Sequence, residues 1–153
     1  MGNTLRLCSR SRYVSVFARR EKHRRDIKLQ KLLYFVQAEF MIEEGCPCFY
    51  NKIEAWAFGP VIPDVYDKYK MFGSGSVPIV IEPRDDLDYK MIKDLIMEED
   101  KQVIDKVINL FLPYSAASLT DLTLNQKPWI DAYVCDCLKI GEITNEALKE
   151  YFL

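Results

Sequence analysis

The sequence predicts a predominantly helical α+β fold, a compact domain of about six helices with a small β hairpin or sheet. Apolar residues recur at the spacing of an α-helix in several segments. Only short stretches show the alternation of apolar and polar residues, or the run of β-branched residues, that is typical of a strand. The chain has 153 residues, of which 49% are apolar and 29% charged, and such a chain can bury a core of its own. We expect a single domain over residues 1–153, with residues 1–25 as a basic N-terminal arm or helix.

The clearest predicted element is a helix from Lys28 to Glu43. Asp26 precedes it as a candidate N-cap residue, and Gly45 followed by Pro47 ends it. Its apolar residues fall at positions i, i+3, i+4, i+7 and i+11, on one helical stripe: Leu29, Leu32, Leu33, Val36 and Phe40. We expect this stripe to face the core of the domain.

A short strand and a short helix are predicted to follow. The strand lies within residues 49–58, whose apolar residues alternate imperfectly, and Gly59-Pro60 is expected to break it. Pro63 suits the first position of a helix, and Asp64 adds a favourable negative charge to its first turn. Residues 78–83 are bounded by prolines and predict a short β segment at a sheet edge.

The remaining predicted elements are helices. The longest runs over residues 98–111, beginning with three acidic residues and ending before Pro113. Ser115 and Thr144 are candidate N-caps of two further helices. Pro128-Trp129 predicts the start of a short helix between them, and residues 14–21 predict a first amphipathic helix.

The cysteines and the single histidine restrict the chemistry open to this chain. The cysteines number five, and an odd count without a secretory signal favours the reducing cytoplasm. A single residue separates Cys46 from Cys48, and a single residue separates Cys135 from Cys137. The paired cysteines of a zinc site are commonly separated by two to four residues. A Cys–His nucleophile pair would need His23 beside one of the cysteines, and His23 lies in a charged run typical of a solvated segment. We therefore predict no catalytic site, metal or cofactor, and no apolar run approaches the about 20 residues of a membrane span.

Charge is unevenly distributed along the chain. Residues 1–31 hold ten basic and two acidic residues, a net charge of +8, and the other residues hold eleven against twenty-one, a net charge of −10. Such a basic segment could bind phosphates of a nucleic acid, and it could equally pack against the acidic part of the chain or an acidic protein. Aromatic residues that would stack on bases are limited to Tyr13 and Phe17, so we do not expect nucleic acid to be the main partner.

Three groups of residues together resemble a known family. Residues 29–35 read Leu-Gln-Lys-Leu-Leu-Tyr-Phe, and residues 54–66 read Glu-Ala-Trp-x-Phe-Gly-Pro-Val-x-Pro-x-Val-Tyr. The third group comprises Leu119-Thr120-x-Leu122-Thr123 and Pro128-Trp129. The chain resembles the SocA-like, or Panacea, antitoxin domain, whose members include phage-associated GepA-type proteins, over about residues 12–152.

The resemblance implies a non-enzymatic protein that binds and neutralises a cognate toxin. Some members instead act as adaptors that deliver a bound toxin to a protease. The chain departs from the family at Leu124, where a histidine is common before the Pro-Trp pair, and at Cys48, where leucine is usual. The second departure favours Cys48 as a core residue.

The predicted partner-binding residues fall in two groups. The first lies on the side of the Lys28–Glu43 helix that we expect to be exposed: Lys28, Lys31 and Tyr34. The second shapes the adjacent surface: Trp56, Phe58, Gly59, Pro60, Pro63 and Tyr66. Trp and Tyr are common interface anchors, although Trp56 could equally fill the core.

Two other functions remain open at this point. One is a phage-encoded inhibitor of a host defence protein, which would use the same kind of surface on a different target. The other is a nucleic-acid-binding regulator that uses the basic N-terminal segment and whose binding weakens as salt rises.

Overall fold

The centre of the fold is a single long helix, α1 (Asp26–Glu43). The computed structural model of the chain describes residues 26–69, 96–134 and 139–153. The predicted helix is confirmed, and it begins two residues before Lys28. Its predicted apolar stripe is buried, as are further apolar residues on its other sides: Phe35, Ala38 and Met41. A helix with apolar residues all round is a core helix rather than a surface helix, and the remaining elements pack around it.

The described residues contain six helices and three strands, with α1 followed by the others in chain order. The strands are β1 (Ile53–Trp56), β2 (Gly59–Val61) and β3 (Glu142–Ile143). The other helices are α2 (Pro63–Tyr69), α3 (Glu98–Phe111), α4 (Ala116–Leu124), α5 (Lys127–Ala132) and α6 (Asn145–Phe152). This is the predicted fold class, predominantly α with a small sheet.

The sheet is antiparallel, with the strand order β2-β1-β3. β1 and β2 form a hairpin in which Trp56 lies opposite Gly59 and Ala55 opposite Pro60. The strand predicted within residues 49–58 ends at Trp56, before Gly59-Pro60 as predicted, but these two residues also begin a returning strand that was not predicted. β2 lies at the edge of the sheet, where a proline without an N–H group is tolerated.

Helix ends follow the predicted signals. Pro63 is the first residue of α2, and Asp64 lies in its first turn. The Oγ of Ser115 accepts a hydrogen bond from Ser118 N at the start of α4, and the hydroxyl of Thr144 accepts one from Ala147 N at the start of α6. Each cap satisfies an N–H group that the helix leaves without an internal partner.

Several predicted features lie outside the described residues. These are the helix over residues 14–21, the β segment over residues 78–83, the basic arm over residues 1–25, and Cys135 and Cys137. Of the helices in the described ranges, none combines the length and the apolar character needed to cross a membrane.

Candidate protein-binding site

The β1–β2 hairpin presents an aromatic side chain at its turn. Ala57 and Phe58 connect Trp56 to Gly59, and Phe58 is 58% exposed. The backbone turns at Gly59, whose φ of 107° lies in a region that favours glycine. An exposed phenylalanine is unusual at a turn, because such turns usually carry small or polar residues.

Buried contacts hold this turn in place. A Cβ atom added to Gly59 would lie 2.8 Å from the Oγ1 of Thr123 and 3.0 Å from the Cε of Lys31. Lys31 also donates a hydrogen bond from its Nζ to the carbonyl oxygen of Pro60, at 2.9 Å. The turn is therefore packed between α1 and α4 with no space for a larger residue than glycine.

The side chain of Gln30 secures the residue that follows β2. Its Oε1 accepts a hydrogen bond from Ile62 N at 2.8 Å, and its Nε2 donates one to Ile62 O at 3.3 Å. The side-chain amide thus forms the pair of hydrogen bonds that the backbone of a neighbouring strand would form. This reciprocal pairing satisfies buried backbone groups at the edge of the sheet.

Trp56 is the centre of the exposed side of the hairpin. Its ring contacts the ring of Tyr66 edge to face, with centroids 4.9 Å apart, and its Nε1 donates to Glu54 Oε2 at 2.9 Å. Trp129 holds the hairpin through a hydrogen bond from its own Nε1 to Trp56 O at 2.8 Å, and its ring stacks on that of Tyr133. Both tryptophans are half-buried, and of the two it is Trp129 that packs against the hydrophobic core.

A second carboxylate lies beside Glu54. Residues Ile53 and Ile143, which pair across β1 and β3, are buried, so the neighbouring pair Glu54 and Glu142 points to the outer side of the sheet. We call the outer surface formed by Glu54, Trp56, Phe58, Tyr66 and Glu142 the hairpin face.

The predicted exposure of the α1 residues is wrong. Lys28, Lys31 and Tyr34 are buried, at 6%, 1% and 0% exposure. Lys28 donates from its Nζ to the carbonyl oxygen of Leu112 at 2.8 Å, at the C-terminal end of α3, where a positive charge is favourable. Two of the ten basic residues in the segment 1–31 are thus used inside the fold and are not available to phosphates.

Tyr34 is part of a buried polar contact. Its Oη donates to Gln126 Oε1 at 2.8 Å. Burial, with a smaller electrostatic contribution from Tyr151, raises the pKa of its hydroxyl above the ordinary range. A group this deep in the core positions other elements and offers no surface to a partner.

The structure divides the second predicted group. Gly59 and Pro60 are buried and Pro63 is half-buried, whereas Trp56 contacts Tyr66 on the hairpin face and Phe58 is exposed at the turn of the hairpin. Gln30 was not among the predicted site residues, and neither was Glu142, whose position opposite Glu54 depends on pairing between distant segments. The repeated apolar residues on every side of α1 were the available signal that its polar residues are also buried.

The cysteines within the described residues do not form a shared site. Cys46 is exposed and Cys48 is buried, as predicted for a core residue. Within the described ranges, no group of three or more His, Cys, Asp or Glu side chains is arranged to hold a metal ion.

A helical domain that presents aromatic residues on a firmly packed hairpin has a surface suited to binding proteins. Residues 29–130 match the family described as antitoxin SocA-like, Panacea domain, and the chain belongs to that family. The predicted resemblance is therefore confirmed, and the family indicates a non-enzymatic role.

One relative gives a local match. The chain is 49% identical over 41 residues to the protein named Antitoxin SocA from Caulobacter vibrioides (strain NA1000 / CB15N). The match spans 27% of this chain and 22% of the length of that relative. No solved structure matches the chain.

Proposed function

We propose that this chain is a non-enzymatic antitoxin that neutralises a cognate protein toxin by binding it directly through the hairpin face. Membership of the antitoxin SocA-like family supports the class of function. The name of the relative, Antitoxin SocA, supports the same class. We place the interaction in the cytoplasm, in keeping with the odd number of cysteines in the sequence.

The observation that carries the proposal is Phe58. Its side chain is 58% exposed, although the turn beneath it is fixed by Lys31 and Thr123. A rigid aromatic anchor loses little conformational entropy when a partner covers it, and aromatic residues dominate the binding energy of many interfaces.

The buried α1 residues have an indirect role in this proposal. Lys31 and Gln30 bind the backbone on either side of Val61, and Tyr34 joins α1 to the residue before α5. We propose that these residues position the hairpin face, and that Trp56, Phe58 and Tyr66 contact the toxin.

Co-expression tests the function. The reading frame adjacent to the gene for this chain is expressed from an inducible promoter, with and without the chain. We expect growth to stop without the chain and to continue with it, and the Phe58→Ser variant to protect less. Leu110→Ser is the matched control, because Leu110 is 61% exposed on α3. Failure of the wild-type chain to protect, together with no stoichiometric protein in a tagged pull-down from the native cell at low and high salt, would reject the proposal.

The level of the toxin separates direct neutralisation from delivery to a protease. For direct neutralisation we expect the toxin to persist at an undiminished level in a stable complex while growth continues. A toxin half-life that shortens when the chain is present would assign the adaptor role instead.

A further inference from the structure

We infer that the hairpin face docks a basic segment of its partner protein, in which Lys or Arg side chains alternate with apolar ones. The inference rests on the proposed function in one respect, because it takes the partner protein to be the toxin. The chemistry of the face can be tested without the toxin, and the two proposals can therefore fail separately.

The first argument is the pairing of two like charges. Glu54 and Glu142 lie directly opposite each other on adjacent antiparallel strands. Like charges in this arrangement destabilise a sheet. Among the ion pairs of the described residues, none includes Glu54 or Glu142. A cation supplied by a partner would offset this repulsion at the face where the partner binds.

The second argument is the position of the aromatic rings. Trp56 and Glu54 are two residues apart on β1, so their side chains share one face of the sheet, and they are joined by a hydrogen bond. Tyr66 contacts the Trp56 ring. A cation beside the carboxylates can also lie over an aromatic ring, an arrangement that favours Arg.

The third argument is the charge of the described part of the chain. These residues hold sixteen acidic residues against nine lysines and no arginine, a net charge of −7, whereas the full sequence has a net charge of −2. Two of those lysines, Lys28 and Lys31, are buried. A field of this sign attracts a basic segment and repels an acidic one during association, and the exposed Phe58 provides the apolar contact.

Intrinsic fluorescence reports directly on this face, because the chain contains two tryptophans, Trp56 on the face and Trp129 bound to its backbone. The full chain is titrated with a synthetic peptide that alternates arginine and leucine. A second peptide with glutamate in place of arginine is the control. We expect a saturable change in emission with the first peptide alone, and weaker binding as salt rises.

Two double variants of the chain test the role of the carboxylates. We expect Glu54→Gln with Glu142→Gln to weaken binding of the arginine peptide about tenfold. Glu98→Gln with Glu99→Gln makes the same change of charge at two exposed residues of α3 and is expected to leave binding unaltered. An equal loss of affinity in both double variants would show that only the net charge of the chain matters, and it would overturn the inference.

The remaining outcomes also decide the inference. No saturable change, or equal binding of both peptides, would overturn it. Sedimentation of the wild-type chain as a dimer, with the Glu54→Gln, Glu142→Gln variant as a monomer, would assign the face to a second copy. Peptide binding that strengthens as salt rises would assign the hairpin face to the chain's own basic residues 1–25, because salt would weaken their attraction to the face and free it for the peptide. A toxin neutralised by a chain that binds no arginine peptide would reject this inference and retain the proposed function.

Discussion

The hydroxyl of Tyr34 donates a hydrogen bond of 2.8 Å to Gln126 Oε1, and both residues are buried. Tyr34 lies on α1, and Gln126 is the residue that precedes α5. The contact therefore joins the central helix to the segment that carries Trp129, which in turn binds the backbone of Trp56. A polar residue of the core thus connects α1 to the hairpin face.

Replacement of Tyr34 by Phe is expected to destabilise the fold. The change removes the hydroxyl donor and leaves the buried Oε1 of Gln126 without this hydrogen bond. The free energy of unfolding should fall by about 1–3 kcal/mol. Urea unfolding at pH 7 measures this cost. Tyr114→Phe, at an exposed tyrosine, is the control and should change the free energy by less than about 0.5 kcal/mol. Equal stability of the two variants would contradict the role given to Tyr34.

The pH dependence of stability should differ between the wild type and Tyr34→Phe. Burial, and secondarily Tyr151, raises the pKa of Tyr34 in the folded chain, whereas the unfolded residue ionises near pH about 10. This contribution to stability is fully present below that pH and is lost as the pH rises above it. The stability difference between the two proteins should therefore shrink from pH about 9 to about 11, as measured by urea unfolding at each pH. A constant difference would contradict the raised pKa.

Replacement of Gly59 by Ala tests how tightly the turn is packed. The φ of 107° disfavours alanine, and the added Cβ would meet Thr123 and Lys31. Gly45→Ala is the matched control, because Gly45 also has a positive φ, 67°, but has open space beside it. The control should cost about 1–2 kcal/mol, and Gly59→Ala should cost more and shift the emission of Trp56. Equal costs in thermal or urea unfolding would show that the turn has room to adjust.

The side-chain amide of Gln37 should contribute as much to the stability of the fold as an apolar core residue does. Its Oε1 accepts hydrogen bonds from the N–H groups of Cys48 and Phe49, and its Nε2 donates to Phe49 O at 2.9 Å. Gln37→Leu leaves these buried groups unsatisfied and should cost at least about 3 kcal/mol. Gln102→Leu, at an exposed position of α3, should have little effect in the same urea assay. A small effect at Gln37 would mean that the loop finds other partners.

Local signals in the sequence predicted much of the fold. The end of α1 at Glu43, the caps at Ser115 and Thr144, and the start of α2 at Pro63 depend on residues close together in the chain. Pro60 was misleading, because a proline usually interrupts a strand but is accepted at the edge that β2 occupies.

The orientation of the polar residues on α1 was not predictable in the same way. Lys31, Gln30 and Tyr34 find their partners at Pro60, Ile62 and Gln126, far along the chain. A lysine that faces solvent and one that binds a buried carbonyl look alike in a sequence. The hairpin face was predicted in part, since the aromatic residues follow one another closely, but the pairing of Glu54 with Glu142 required the sheet.

The most direct test of the central claim is the affinity of the purified chain for the toxin that co-expression identifies. Calorimetric titration compares the wild type with Phe58→Ser on the hairpin face and Leu110→Ser on α3. If α1 builds the fold and the hairpin face binds the toxin, Phe58→Ser weakens binding about thirtyfold, and Leu110→Ser binds as the wild type does. Unchanged affinity of a folded Phe58→Ser variant, or an equal loss in both variants, would contradict the account.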